Sequence, residues 1–273
     1  RLSFADLIKF GSVAIPLVIC CILGVLILIK LLIKKVPISS KMSYLIAIGT
    51  SVCGATAIVA TAPVINAKKT EVAYAIANIT FFGVIAMLVY PYFAEWYFDN
   101  NALEAGLFLG TSIHETSQVA AAGLIYDQQF NNPETLDVAT VTKLIRNTFL
   151  VILIPLFAFL YNRGEFKGQK YSILNIFPYF VIGFIGMIIL RNLGDQFFSI
   201  ESDNFYAWSK FIEYLKILTT VFLTMAMAAV GISINLNELK SMGYKPFIVG
   251  LIAAVTVGII SLIYIETLIN FFI

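Results

Sequence analysis

The chain has 273 residues, of which 60% are hydrophobic, 14% aromatic and 12% charged, with a formal net charge of +2. Soluble domains carry about a quarter charged residues, so this composition excludes an ordinary soluble fold, and so small a charge offers no basic face for nucleic acid. Several apolar runs reach the roughly 20 residues that cross a bilayer and lack the alternation of an outer-membrane barrel, which predicts one all-α polytopic membrane domain over 1–273.

In chain order, apolar segments are expected at about 10–33, 43–65, 72–94, 103–125, 138–161, 172–190, 208–232 and 246–272. Pro16, Pro91, Pro155 and Pro178 fall within or at the ends of these segments; membrane helices tolerate this when neighbours satisfy the freed carbonyls. Residues 195–206, DQFFSIESDNFY, read as an exposed loop or a short interfacial helix. Cys20, Cys21 and Cys53 lie in apolar surroundings and read as buried free thiols; no metal or cofactor motif is present. The stretch LSFADLIKFG (2–11) echoes INLNELKSMG (234–243), which an apolar helix precedes, so helices of the full protein are expected before Arg1.

The second and fourth segments differ from the rest. Each carries a polar, small-residue break in its middle: LIAIGTSVCGATAIVATAPVI (45–65) and GLFLGTSIHETSQVAAAGLIY (106–126). GTSVCGATAIVATAPVI (49–65) matches GTSIHETSQVAAAGLIY (110–126) at an offset of 61, which points to an internal duplication. Paired broken segments in two related halves are the sequence mark of a transporter's binding site.

Loop charge bears on how these segments sit, because cytoplasmic loops carry excess Lys and Arg. The first loop holds Lys30, Lys34, Lys35 and Lys41, and the second Lys68 and Lys69. The next two hold Glu95, Asp99 and Glu104, then Asp127, Glu134 and Asp137. Arg163, Lys167 and Lys170 follow, and Lys240 and Lys245 precede the last segment. Every loop obeys the bias if both broken segments are re-entrant hairpins that enter from opposite faces. Broken helices that fully cross remain the alternative.

Gly49 and Gly110 are expected to let the backbone leave the helix, and Thr50, Ser51, Thr111 and Ser112 to cap the helix that follows. Free N–H groups at such a terminus favour an anion; the hydroxyls otherwise satisfy only their own backbone. The sole histidine, His114, stands beside Glu115, where the first break has Cys53 and Gly54. Intramembrane ionisable groups are costly and face cavities or partners, so His114 and Glu115 are candidates for proton coupling, or a structural pair for loose backbone. Gln118 lies one turn beyond His114. Lys143, Arg146 and Asn147 share a helical face. Lys143 and Arg146 attract an anion, partner Glu115, or snorkel to the interface. Asn78, Thr80, Thr219, Thr220 and Thr224 are weaker candidates, since such groups mostly bond across helices.

In these motifs the chain resembles the YeiH-type sulfate exporter family of bacterial inner-membrane proteins. The motifs are GTSVCGATAI (49–58), FFGVIAMLVYP (81–91), IHETSQVAAAG (113–123), TKLIR (142–146) and AMAAVGI (226–232). Thr56 replaces a Ser of the family pattern, Thr116 and Ser117 replace more apolar residues, and Thr142 stands where Val is usual. The resemblance implies an inverted-repeat transporter with crossing discontinuous helices, exporting sulfate or a related small anion such as a sulfonate.

The expected function is thus a secondary transporter of a small anion, driven by an H+ or Na+ gradient, in the bacterial inner membrane. Membrane lipid is its surroundings and a homo-oligomer is open. Its substrate contacts are expected from Thr50, Ser51, Cys53, Gly54, Thr111, Ser112, Gln118, Lys143 and Arg146. A Na+/H+-type exchanger on the same architecture would want paired carboxylates, and only Glu115 fits. An enzyme would want a nucleophile or metal constellation, and a sensor a ligand pocket.

Overall fold

The computed structural model describes residues 4–33, 35–162, 186, 189–190, 193–195, 197–198, 205–232 and 243–272. Nearly all of the predicted segment 172–190, Pro178, most of the loop 195–206 and nearly all of the echo at 234–243 lie outside the described residues, as do the side chains of Thr219, Thr220 and Thr224. Among the described residues the regular elements are all α-helices: α1 (Phe4–Ile33), α2 (Ser40–Ser51), α3 (Ala55–Thr61), α4 (Lys69–Phe98), α5 (Ala102–Ser112), α6 (Thr116–Phe130), α7 (Pro133–Thr148), α8 (Leu150–Asn162), α9 (Phe205–Ile232) and α10 (Lys245–Phe272).

Four stretches among these are long and apolar enough to cross a membrane: Gly11–Ile33, Lys69–Phe98, Pro133–Phe157 and Lys245–Thr267. On α1 the outer row is Ile15, Ile19, Leu23, Ile27 and Leu31, while Leu17, Val18, Cys21, Val25 and Ile29 pack inward. A helix that is apolar all round belongs in lipid rather than at a water interface. Cys20 sits on the outer face, against the expectation that all three thiols are buried; Cys21 and Cys53 are buried. Pro16, Pro91 and Pro155 lie inside α1, α4 and α8.

The two broken segments become α2–α3 and α5–α6, and they match at the predicted offset. α2 ends at Ser51 and α5 at Ser112; α3 starts after Gly54 and α6 after Glu115. Lys41 Nζ, at the start of α2, donates to Asn66 O, beyond α3, at 2.6 Å. Asn132 Nδ2, beyond α6, donates to Asn100 O at 2.9 Å and Asn100 Oδ1 at 2.8 Å, before α5. Each pair thus has its two outer ends together. The first pair's ends lie at the start of α4, where Ser39 Oγ donates to Glu71 Oε1. The second pair's ends lie at the close of α4, where Tyr126 OH donates to Glu95 Oε2 at 2.6 Å. The stretch of α4 between Glu71 and Glu95 separates these ends by about 36 Å at about 1.5 Å per residue.

Local chemistry sets the helix ends. The Asn101 side chain accepts from Leu103 N and Glu104 N to start α5, and Ser39 accepts from Met42 N to start α2. Asp99 and Asn131 close α4 and α6 in the left-handed conformation. α7 begins with Pro133 and packs between α5, α6 and α1. Close approach of α5 to α7 rests on two glycines. A Cβ at Gly106 would lie 2.5 Å from Val138 Cβ, and one at Gly110 would lie 2.6 Å from Ala139 O. Small residues four apart allow such contact where lipid gives no hydrophobic drive between helices.

Candidate functional site

Gly-Thr-Ser is not the break in either segment. Residues 49–51 close α2 and residues 110–112 close α5, while the chain leaves the helix at Val52–Gly54 and Ile113–Glu115. The expectation that these hydroxyls cap the following helix is therefore corrected. Thr111 Oγ1 donates back to Leu107 O at 2.7 Å, the bond a hydroxyl makes inside a helix, and Ser261 Oγ lies 2.7 Å from it. The N-caps are Gly54 and Glu115. Gly54 takes φ 68° and ψ −129°, a conformation open essentially to glycine alone. This glycine, three residues on from Ser51, is what turns the chain.

Once α2 and α5 stop, their last carbonyls need donors. These come from α7. Lys143 and Arg146 are wholly buried. Lys143 Nζ donates to Val52 O at 3.0 Å, Ile113 O at 2.9 Å and the His114 carbonyl. Arg146 donates through Nε to Ser51 O at 2.7 Å and through Nη2 to the Thr50 carbonyl. Its Nη1 donates to the Thr111 carbonyl and to Ile113 O at 3.3 Å. Both cations thus tie the first break to the second. Neither snorkels, and the hydrogen bonds of both run to main-chain carbonyls rather than to Glu115.

Glu115 serves the opposite helix ends. Its Oε1 accepts from Ala55 N, the first residue of α3, at 2.7 Å. A Cβ at Gly54 would lie 2.6 Å from the same oxygen. Gly54 and Glu115 are the N-cap positions that correspond at the offset of 61, and they touch. The tips therefore meet with opposite arrangements of charge. Helix C-termini, which carry partial negative charge, face Lys143 and Arg146; helix N-termini, which carry partial positive charge, face Glu115.

The two sides also differ in exposure. The C-terminal side is sealed: Thr50, Ser51, Thr111, Ser112, Cys53 and His114 are all buried. The hydroxyls of Thr50, Ser51 and Ser112, and His114 Nδ1, find no partner among the described residues. On the N-terminal side Thr56 and Ser117 are exposed, and Glu115, Thr116 and Asn147 half-buried. Asn147 Nδ2 donates to Thr116 Oγ1 at 3.2 Å, joining α7 to the start of α6. Ile113 and Glu115 are in extended backbone and His114 lies between them, outside both helices; its side chain is buried while the Glu115 carboxylate reaches α3.

Gln118 turns away to α4, where Nε2 donates to Thr80 O at 3.3 Å and the side chain lies on Gly83. Asn78 Nδ2 donates to Pro246 O at 2.9 Å and ties α4 to α10. Ser261 was not a candidate from sequence. The signal for it is a lone buried hydroxyl within the otherwise apolar stretch GIISLIY of α10.

These features define a membrane protein whose core is the meeting of two interrupted helices over two buried cations. The family described as Conserved hypothetical protein 698 matches residues 1–250, and the chain belongs to it; this is the YeiH-type family that its motifs resemble. A UPF0324 membrane protein of Fusobacterium nucleatum is 34% identical over 267 residues, 96% of this chain and 76% of the relative. A UPF0324 membrane protein of Streptococcus agalactiae is 34% identical over 259 residues, 95% and 74% of the two chains. One of Streptococcus pneumoniae is 33% identical over 276 residues, 99% and 77%. These names specify a membrane protein and no activity. No solved structure matches the chain.

Proposed function

We infer that the chain is a secondary transporter of a small anion, such as sulfate or a sulfonate, coupled to H+ or Na+ in the bacterial inner membrane. One observation carries this reading. At the meeting of the tips two buried cations, Lys143 and Arg146, stand against one carboxylate, Glu115. The partial charges of two helix N-termini and two C-termini cancel to first order. One unit of positive charge is left over in a region where uncompensated charge is costly. A bound anion balances it.

The approach for that anion is the N-terminal side, where Thr56, Thr116 and Ser117 offer hydroxyls and α6 presents its first N–H groups. Lys143 and Arg146 act on it through their field, since their hydrogen bonds hold the tips. Thr50, Ser51, Cys53, Gly54, Thr111 and Ser112 build the support. The closed ends of α2–α3 and α5–α6 at opposite ends of α4 support re-entrant hairpins related by an inverted repeat, the architecture on which alternating access works. Glu115 holds the only acidic group at the tips among the described residues and is the candidate proton site, with His114 behind it. A cation exchanger would need a second carboxylate there.

Reconstitution in liposomes tests the reading. Labelled sulfate or a sulfonate is expected to enter or leave in response to an imposed pH or Na+ gradient. Glu115→Gln is expected to alter the pH dependence of that flux. Absence of flux for sulfate, sulfonates and other small anions under both gradients would overturn the assignment.

A further inference from the structure

The ammonium of Lys143 takes the place that a free cation would take. It is wholly buried and meets three main-chain carbonyls, of Val52, Ile113 and His114. These oxygens belong to two chain breaks and converge on one point between them. Carbonyls of interrupted membrane helices, aimed at a common point beside half-helix C-termini, are the ligand set that holds Na+ in cation-coupled transporters. Here a side chain of α7 fills the point. We propose that the breaks form a monovalent-cation site whose resident is Lys143. The native protein then needs no Na+ there, and a variant lacking the ammonium takes up a small free cation in its place. This rests on the transport reading for its consequence, which is that Na+ is removed from the crossover as coupling ion, but its test does not.

The chemistry sets the selectivity. Removing the side chain leaves the Val52 and His114 carbonyls without that donor and Ile113 O with only the longer bond from Arg146 Nη1, an expensive condition for buried polar groups. It also opens a polar space shaped for one positive centre. Methylammonium has the same charged head and N–H donors as lysine. Na+ has the charge and accepts carbonyl ligands. Tetramethylammonium has the charge but no donors and a larger radius. A neutral side chain of lysine's length fills the space and leaves no room.

The full chain is purified in detergent and its Tm followed with each chloride salt at constant ionic strength. Lys143→Ala is expected to gain roughly 5 °C, saturably, at about a hundredfold excess of methylammonium or Na+ over its dissociation constant. Tetramethylammonium is expected to give no such gain, Lys143→Met to gain nothing from methylammonium and no more from Na+ than the native protein does, and the native protein not to respond to methylammonium. Failure of Lys143→Ala to respond, equal rescue of Lys143→Met, or a saturable methylammonium shift in the native protein each overturns the proposal. If Lys143→Ala gives no folded protein, the native protein decides: a saturable methylammonium shift refutes and its absence supports. Sulfate in the same assay reads the transport assignment separately.

Discussion

Replacing Gly54 by alanine should damage the protein twice, and the two parts can be measured apart. Gly54 sits at φ 68° and ψ −129°, where an L-residue is strained by about 1–3 kcal/mol. The new Cβ would also lie 2.6 Å from Glu115 Oε1 and 2.8 Å from its Cδ. Glu115 must move, and its bond to Ala55 N goes with it; a hydrogen bond to a charged group is worth about 1.5–3 kcal/mol. The sum is about 2.5–6 kcal/mol, or a Tm lower by roughly 10 °C at the usual slope for a chain of this size. The assay is thermal unfolding of purified protein in detergent for Gly54→Ala, Glu115→Ala and the double variant. In the double variant the clash is gone, and the loss of the bond to Ala55 N is counted once beside the backbone strain rather than twice, so the single effects should not add. Additivity within about 0.5 kcal/mol, or a Gly54→Ala protein within about 2 °C of native, would refute the contact between the tips.

Arg146→Lys keeps the charge but not the fork that reaches the Ser51, Thr50, Thr111 and Ile113 carbonyls; a loss of about 3–5 kcal/mol is expected, as for breaking a buried charged network, read as Tm and as yield of folded protein. Gly110→Ala places a Cβ 2.6 Å from Ala139 O and 2.7 Å from Thr142 Cβ and should cost about 1–3 kcal/mol by overpacking. Gly11→Ala, whose Cβ meets only Ile145 Cδ1 at 4.0 Å, should instead stabilise by about 0.5–1 kcal/mol, and the pair measured together separates packing from helix propensity. Single cysteines at positions 66 and 132, in a background without Cys20, Cys21 and Cys53, should react with an impermeant thiol reagent from opposite sides of the membrane; labelling from one side would refute opposed hairpins.

Much of this arrangement is legible in the chain because the two broken segments carry matching residues in the same order along the sequence. The offset of 61 between the two breaks is also the offset between Ser51 and Ser112 and between Gly54 and Glu115. Composition marks the membrane spans because lipid demands apolar side chains on outward faces as well as inward ones. The breaks themselves fall three residues later than Gly-Thr-Ser suggests. Glycine and hydroxyl residues are ambiguous inside membranes: Gly110 serves a close helix contact, and the Thr111 hydroxyl donates a hydrogen bond back to Leu107 O. Where a helix stops depends on which carbonyls find other donors, and those donors, Lys143 and Arg146, lie some 90 residues away from the first break. No local pattern carries that information. Their destination was equally hidden, since spacing puts both cations on one face without saying what the face meets.

The four helix ends explain why the charged residues are divided as they are. Two C-termini with their unpaired carbonyls could be satisfied by water, but water would have to enter the sealed side, where Thr50, Ser51, Thr111 and Ser112 are buried. One rigid helix, α7, supplies all the donors from a single face instead, so the two tips are held to one element rather than to each other alone. The N-termini are treated differently. One flexible carboxylate, Glu115, answers Ala55 N from a half-buried position, and the rest of the N-terminal charge is left toward the accessible side. The buried side is therefore fixed by about seven charge-assisted bonds and the open side by one. A transporter built this way would keep its support rigid while ligand and proton act where the tips are held least, and that places the decisive variant at Glu115 rather than at either cation.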